Sequence, residues 1–232
     1  MFILRWTAAA LITAFFGMLS LLLSFIRPKG WSIRVFGGFW ARAMMRAWGV
    51  SVTASPRLAR GRSRIIMPNH QSFVDILVIF ATVPDRITFL AKKSLFRLPF
   101  LGWAMKAGGF IPVDRTDRTT ARETFKRAKQ ALESGRSILI FPEETRSEDG
   151  RLLPLKKGGF LLAHATGFPI LPMGIWGTGA ILSKNAKTIK GGRVCVRFGG
   201  EILYDKNEPL QACIVATCNS IQACVDAARS ET

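Results

Sequence analysis

The hydrophobic rhythm of the chain changes twice. Trp6 to Ile26 is an unbroken run of 21 uncharged residues, with Arg5 before it and Arg27 and Lys29 after it. As a helix this run would extend ~32 Å, enough to cross the hydrocarbon core of a bilayer. A cleaved signal peptide is the competing reading. The length of the run and the lack of a small-x-small site before Arg27 and Pro28 weaken it. After Gly30 the pattern becomes helical and two-sided: Ile33, Phe36, Trp40 and Met44 recur on one side, and Arg34, Arg42 and Arg46 on another. Such a helix suits a headgroup layer. Residues 1–50 are therefore expected to be a two-helix membrane anchor, spanning or re-entrant, ahead of a domain over 51–232.

From about Val52, short β-rich runs alternate with helical ones. Strands are predicted at 64–67, 87–91, 109–113, 137–141, 170–175 and 194–198, and helices at 72–83, 120–134, 159–166 and 210–229. The helix over 120–134 is well punctuated. Thr120 and Glu123 have capping-box spacing, Phe125, Ala128 and Leu132 form an apolar stripe, and Gly135 stops it. Strand–helix alternation implies an α/β fold with a largely parallel or mixed sheet flanked by helices.

Charge then narrows the partners. The chain carries 33 Lys and Arg against 15 Asp and Glu, a formal charge of +18, which calls for an anionic partner. No acidic residue precedes Asp75, whereas ten basic ones do, and they flank apolar stretches. An anionic membrane lipid surface fits that distribution better than nucleic acid, whose binders carry basic faces on polar elements. The four cysteines form no C-x-x-C pair and the two histidines stand far apart, so neither a metal site nor a disulfide scaffold is implied.

The candidate chemistry centres on residues 67–75, Met-Pro-Asn-His-Gln-Ser-Phe-Val-Asp. A buried strand, a turn at Pro68 and Asn69, and a helix starting near Ser72 would leave His70 just outside the helix and Asp75 in its first turn. On one continuous helix residues five apart point ~140° away from each other. The turn is what lets the carboxylate reach the imidazole, fix its tautomer and leave the other nitrogen as a general base. Chance alone places an aspartate five after a histidine with probability ~0.06, so the pair does not decide the matter by itself. Ser72 could be a nucleophile, but N-capping accounts for it more simply. His164, in an apolar helix, reads as structural.

In a parallel sheet, ligands gather outside the carboxyl ends of the strands. His70, the pair Asp114 and Arg115, and the turn over 141–147 would then share one rim. Arg115 and Arg146 could each offer a guanidinium fork to a phosphate. Glu143 could orient one of them or accept a hydrogen bond from a polyol. Lys156 adds positive charge near a helix start, and Lys92 and Lys93, or backbone amides, are candidates to hold an oxyanion.

Four stretches in order carry a resemblance: His70-x4-Asp75; Gly-Gly-Phe-Ile-Pro-Val-Asp-Arg at 108–115; Phe-Pro-Glu-Glu-Thr-Arg-Ser at 141–147; and Phe-Pro-Ile-Leu-Pro at 168–172. They resemble the four sequence blocks of the glycerolipid acyltransferases, most closely the bacterial 1-acylglycerol-3-phosphate (lysophosphatidic acid) acyltransferases. The resemblance implies a membrane enzyme moving an acyl chain from acyl-CoA or acyl carrier protein onto a lysophospholipid hydroxyl, with no other cofactor. It implies that His70 and Asp75 are the catalytic pair. It also implies that the second and third blocks, with Arg115, Glu143, Thr145 and Arg146, bind the acceptor. Glu144 stands where the family's third block usually has glycine, which keeps a different lysolipid acceptor open. A basic nucleic-acid-binding protein and a non-catalytic lipid-binding protein are the non-enzyme alternatives. The retained His70 and Asp75 argue against the second.

Overall fold

Seven strands build one mixed sheet among the residues that the computed structural model describes, 2–24, 31–59, 61–113, 121–205 and 207–232. They are β1 (Val50–Ser55), β2 (Ile65–Pro68), β3 (Ile87–Lys92), β4 (Ile111–Val113), β5 (Ser137–Leu139), β6 (Ile170–Trp176) and β7 (Gly192–Phe198), in the order β1-β7-β6-β2-β5-β3-β4. Strand β2 pairs in parallel with β5 and β6, and β3 with β5 and β4. Strand β7 runs antiparallel to β6 and carries β1 parallel to itself. The five strands from β6 to β4 thus point the same way and share a carboxyl rim, as expected.

Eight α-helices surround the sheet among the described residues: α1 (Phe2–Ser24), α2 (Trp31–Trp48), α3 (Val74–Thr82), α4 (Leu101–Ala107), α5 (Ala121–Glu133), α6 (Gly158–Thr166), α7 (Thr178–Ile181) and α8 (Leu210–Arg229). Two cores form, one on each face. Ile66 of β2 joins the core under α2 and α3, while its neighbours Ile65 and Met67 join the core under α5, α6 and α8. That is the period of two along a strand buried on both faces. Leu77, Val78 and Ile79 of α3 are fully buried, and each such side chain contributes about 1.5–3 kcal/mol.

The N-terminal region partly matches its expectation. Helix α1 is long and apolar enough to cross a membrane, and Ile3, Leu4, Leu11, Phe15 and Leu22 are exposed along it. Helix α2 differs. Its Ala41, Met44, Met45 and Trp48 are buried in the protein's own core, its Trp40 ring meets Phe80 of α3, and the Trp40 indole donates to Thr13 of α1. The apolar side of α2 is thus largely covered by protein, while Arg42 and Arg46 face outward. Arg27, Lys29 and Thr120 lie outside the described residues, as do the side chains of Ile33 and Arg34. Strand β1 and helix α4 were not anticipated. β1 is an edge strand with only Val50 buried, so its sequence carries little hydrophobic signal.

At the amino ends of β2 and β5, opposite the rim, a charged cluster buries the side chains of Arg64 and Asp85. The Nε of buried Arg64 lies 2.9 Å from Asp85 Oδ2, and its Nη1 lies 2.8 Å from Glu201 Oε1. Ser137 Oγ sits 3.2 Å from the same Asp85 oxygen and accepts the backbone N–H of Arg64.

Helix α8 is pressed onto β6 at Gly174. A Cβ there would stand 2.4 Å from the backbone carbon of Cys224 and the nitrogen of Val225. Neither backbone can yield alone, so Gly174→Ala should push α8 off the sheet and destabilise the fold by about 1–3 kcal/mol. Thermal unfolding in detergent measures this; an unchanged midpoint would refute the close approach.

Candidate active site

Strand β2 ends at Pro68, and α3 begins at Val74, so residues 69–73 form the expected turn. Asn69 clamps it to the neighbouring strand. Its side-chain amide donates to the Ile175 carbonyl at 2.9 Å and its Oδ1 accepts the Ile175 N–H at 2.7 Å. Ser72 Oγ accepts the Val74 N–H and donates to the Leu182 carbonyl, so the hydroxyl ties down the turn just before the helix. The expected N-cap falls one residue later, at Phe73, which has no side-chain cap hydrogen bond.

Asp75, in the first turn of α3, is fully buried, and three donors converge on its Oδ2. They are His70 Nδ1 at 2.8 Å, the Gln71 N–H at 2.8 Å and the Ser72 N–H at 2.9 Å. A carboxylate accepting there makes Nδ1 the protonated ring nitrogen, leaving the lone pair on Nε2. The rest of His70 is also held. Its N–H donates to Glu143 Oε1 at 2.6 Å, its carbonyl accepts the Ser147 N–H at 2.8 Å, and Phe141 stacks on the ring at 3.8 Å between centroids. Only Nε2 is uncommitted among the described residues, and the side chain keeps 16% exposure. The group can take a proton from something that arrives at the rim.

The third block follows β5, next to β2, and its residues divide. Glu143 is buried, with Oε1 on the His70 N–H and Oε2 on the Leu153 N–H at 2.8 Å. Its two oxygens thus clasp backbone on either side of the turn. Burial raises its pKa to about 7; the two N–H donors oppose the rise and the nearby Asp75 charge adds to it. Glu144 adopts φ 60°, the left-handed region that favours glycine, and costs about 1–2 kcal/mol there. The turn therefore keeps a glycine-type backbone although a glutamate occupies it, with the side chain exposed. Thr145 is exposed and Arg146 half-buried, with no carboxylate paired to Arg146 among the described residues. Lys156 is exposed and is brought beside the block by its N–H bond to the Pro142 carbonyl. Lys92 is exposed at the carboxyl end of β3, one strand beyond β5. Asp114 and Arg115 lie outside the described residues.

Phe141 and Asn69 were not singled out from sequence. Their signal was position: an aromatic at the end of a strand next to the histidine-bearing one, and an asparagine directly before the histidine. Next to the turn, an apolar cavity of 160 Å³ runs between α1, α2, α3 and α4, with Phe73, Ile76, Trp40, Phe16, Phe89 and Phe110 in its lining.

The family model described as Acyltransferase matches residues 49–176, more than half of the chain and all of β1 to β6. The chain belongs to the acyltransferase family. It is 38% identical over 125 residues to a chloroplastic 1-acyl-sn-glycerol-3-phosphate acyltransferase of Brassica napus, covering 54% of this chain and 36% of that protein. With the 1-acyl-sn-glycerol-3-phosphate acyltransferase of Helicobacter pylori it is 38% identical over 112 residues, 48% of this chain and 47% of that one. The match thus spans about a third to a half of these curated relatives. The crystal structure of the 1-acyl-sn-glycerophosphate (LPA) acyltransferase PlsC from Thermotoga maritima has the same fold. Its TM-score is 0.83 at 22% identity, over 97% of this chain and 94% of that one.

A pKa near 7 for Glu143 has a consequence for stability. Between the ordinary glutamate value of 4.5 and about 7 the folded state binds the proton and the unfolded state does not, so stability falls as pH rises through that window. The loss is on the order of 3 kcal/mol. Glu143→Gln cannot ionise, and its unfolding midpoint should fall less than that of wild type between pH 5 and pH 8. Parallel pH profiles for the two proteins would refute the shift.

Proposed function

We propose that this protein is a membrane-bound 1-acylglycerol-3-phosphate O-acyltransferase. It moves a fatty acyl chain from acyl-CoA or acyl carrier protein to the free hydroxyl of lysophosphatidic acid, giving phosphatidic acid. The observation that carries the reading is the His70 ring held at Nδ1 by buried Asp75, with Nε2 uncommitted at the sheet rim. The relatives described above are 1-acyl-sn-glycerol-3-phosphate acyltransferases, which supports the same acceptor.

The acceptor hydroxyl donates its proton to His70 Nε2 as its oxygen attacks the thioester carbonyl. Asp75 keeps the tautomer correct and stabilises the imidazolium that forms, as the aspartate of a serine hydrolase triad does. Collapse of the tetrahedral intermediate expels the thiolate, and the imidazolium returns the proton to it. No acyl-enzyme is needed, because the acceptor is itself the nucleophile. Arg146, with Arg115 of the second block, holds the acceptor phosphate. Thr145, Lys156 and Lys92 line its approach. Glu143 acts through the backbone, fixing the His70 amide. The acyl chain enters the apolar cavity, whose Phe73 and Ile76 belong to the His70 turn and helix. Helix α1 and the basic residues flanking it hold the enzyme on the cytoplasmic face of the inner membrane, where soluble thioester donors reach the rim.

Acyl transfer by the purified protein to lysophosphatidic acid and to a zwitterionic lysolipid is the test. His70→Ala should lower turnover ~10²- to 10⁴-fold without loss of fold. Asp75→Asn should lower kcat with little change in acceptor KM; a rise in KM at constant kcat would make Asp75 a binding residue instead. Arg146→Lys keeps the charge but loses the fork. It should raise the KM for lysophosphatidic acid ~10- to 100-fold, the equivalent of one charge-assisted hydrogen bond. A wild type that prefers the zwitterion, with Arg146→Lys unchanged, would overturn the phosphate assignment.

A further inference from the structure

A second cavity lies at the other end of the sheet. It measures 540 Å³ and is walled by the amino end of β3, the carboxyl end of β1, the last turn of α3 and the middle of α2. Four arginines from four separate segments converge on it: Arg42, Arg57, Arg86 and Arg136. Strands of three to seven residues, at ~3.3 Å each, separate this cavity from the His70 rim.

Two features of this group bear on what it binds. Several arginines of the chain have carboxylate partners, such as Arg64 with Asp85 and Glu201, Arg62 with Glu201 and Arg127 with Glu123. Among the described residues none of the four does. Arg42 instead lies over the Phe39 ring, and Arg136 Nε donates to Ser134 Oγ. Asp85 also lines the cavity, but its Oδ2 is taken by Arg64 and Ser137. Second, Arg86 and Arg136 are near enough to oppose each other's charge; burial and then Arg86 lower the pKa of the half-buried Arg136 guanidinium. Two guanidinium groups drawn together in a concavity are stabilised by an anion between them.

The cavity wall also includes Leu58 and Phe80, and its Arg42 corner adjoins Phe39, which is 57% exposed on the helix that packs against apolar α1. A ligand with a phosphate and an apolar part matches that surface better than a free phosphate ester. We propose that this cavity is a second anion site, separate from the acyl-transfer site, that takes the phosphodiester headgroup of an anionic phospholipid. The inference goes beyond acyl transfer and does not require it.

Calorimetric titration of the full chain in non-ionic detergent tests it with two probes. One is dihexanoylphosphatidylglycerol below its micelle concentration; the other is glycerophosphoglycerol, the same headgroup without chains. The lipid should bind saturably and more tightly than the chain-free probe. Affinity should fall at least ~10-fold in the Arg86→Ser/Arg136→Ser double variant, and likewise in Arg57→Ser/Arg86→Ser, whose two side chains are exposed and leave folding untouched. Acyl transfer in micelles should stay at the wild-type level in both, which separates this site from His70. Equal affinity for the two probes assigns the cavity to free phosphate esters and overturns the lipid assignment. Lipid binding that is equal in wild type and both variants, or absent from wild type, overturns the site.

Discussion

A buried carboxylate with no partner would be untenable in this core, and the site is built around meeting that demand. Asp75 has no exposed surface, so its charge must be answered inside the protein. Three N–H groups converge on one of its oxygens, and the start of α3 adds a favourable dipole. Two of the three donors are backbone amides of the turn itself. The same oxygen that orients the imidazole therefore also dictates the path of residues 70–72. Substrate chemistry and local folding are here one interaction, which is why a five-residue spacing across a turn, not a helical spacing, carries the histidine.

Glu143 completes the arrangement from the neighbouring strand. Its carboxylate ties the His70 amide to the Leu153 amide, so the turn after β2 and the loop after β5 are fixed to each other across the sheet rim. Phe141 and the Ser147 N–H act from the same segment on the ring face and the His70 carbonyl. The third block therefore positions the histidine as much as it faces an acceptor. Arg146 and Thr145, to which the proposed function gives the acceptor phosphate, are less buried than Glu143.

The sequence made the His70–Asp75 pair legible because both side chains are chemically rare in this chain and their spacing has a single sensible geometry. The parallel half of the sheet was legible because β2, β5 and β6 are apolar runs buried on both faces. Glu143 was not legible in the same way: its partners are main-chain amides, which every residue type offers. Glu144 shows the reverse. It reads as a departure from glycine, yet the backbone at φ 60° retains the conformation glycine serves, so the turn survives the substitution. Strand β1 escaped notice because an edge strand with one buried residue lacks a hydrophobic pattern; helix α2 was legible, but amphipathicity gives no indication of what will cover its apolar side.

That covering has a consequence for the proposed reaction. Helix α2 is shared: Trp48 and Met44 belong to the core over the sheet, while Trp40 holds α1 through Thr13 and touches Phe80 of α3. The apolar cavity lies where α1, α2, α3 and α4 meet, and its Phe73 is only three residues from His70. On the proposed function, a lysolipid or acyl chain leaving a lipid layer around α1 would pass into protein without its methylenes crossing water, at about 0.8 kcal/mol per CH₂ that would otherwise be exposed. Helix α1, long and apolar enough to cross a membrane, and the turn that carries His70 are walls of the same cavity. Shifting α1 against α2 should for that reason affect transfer even where His70 and Asp75 are untouched.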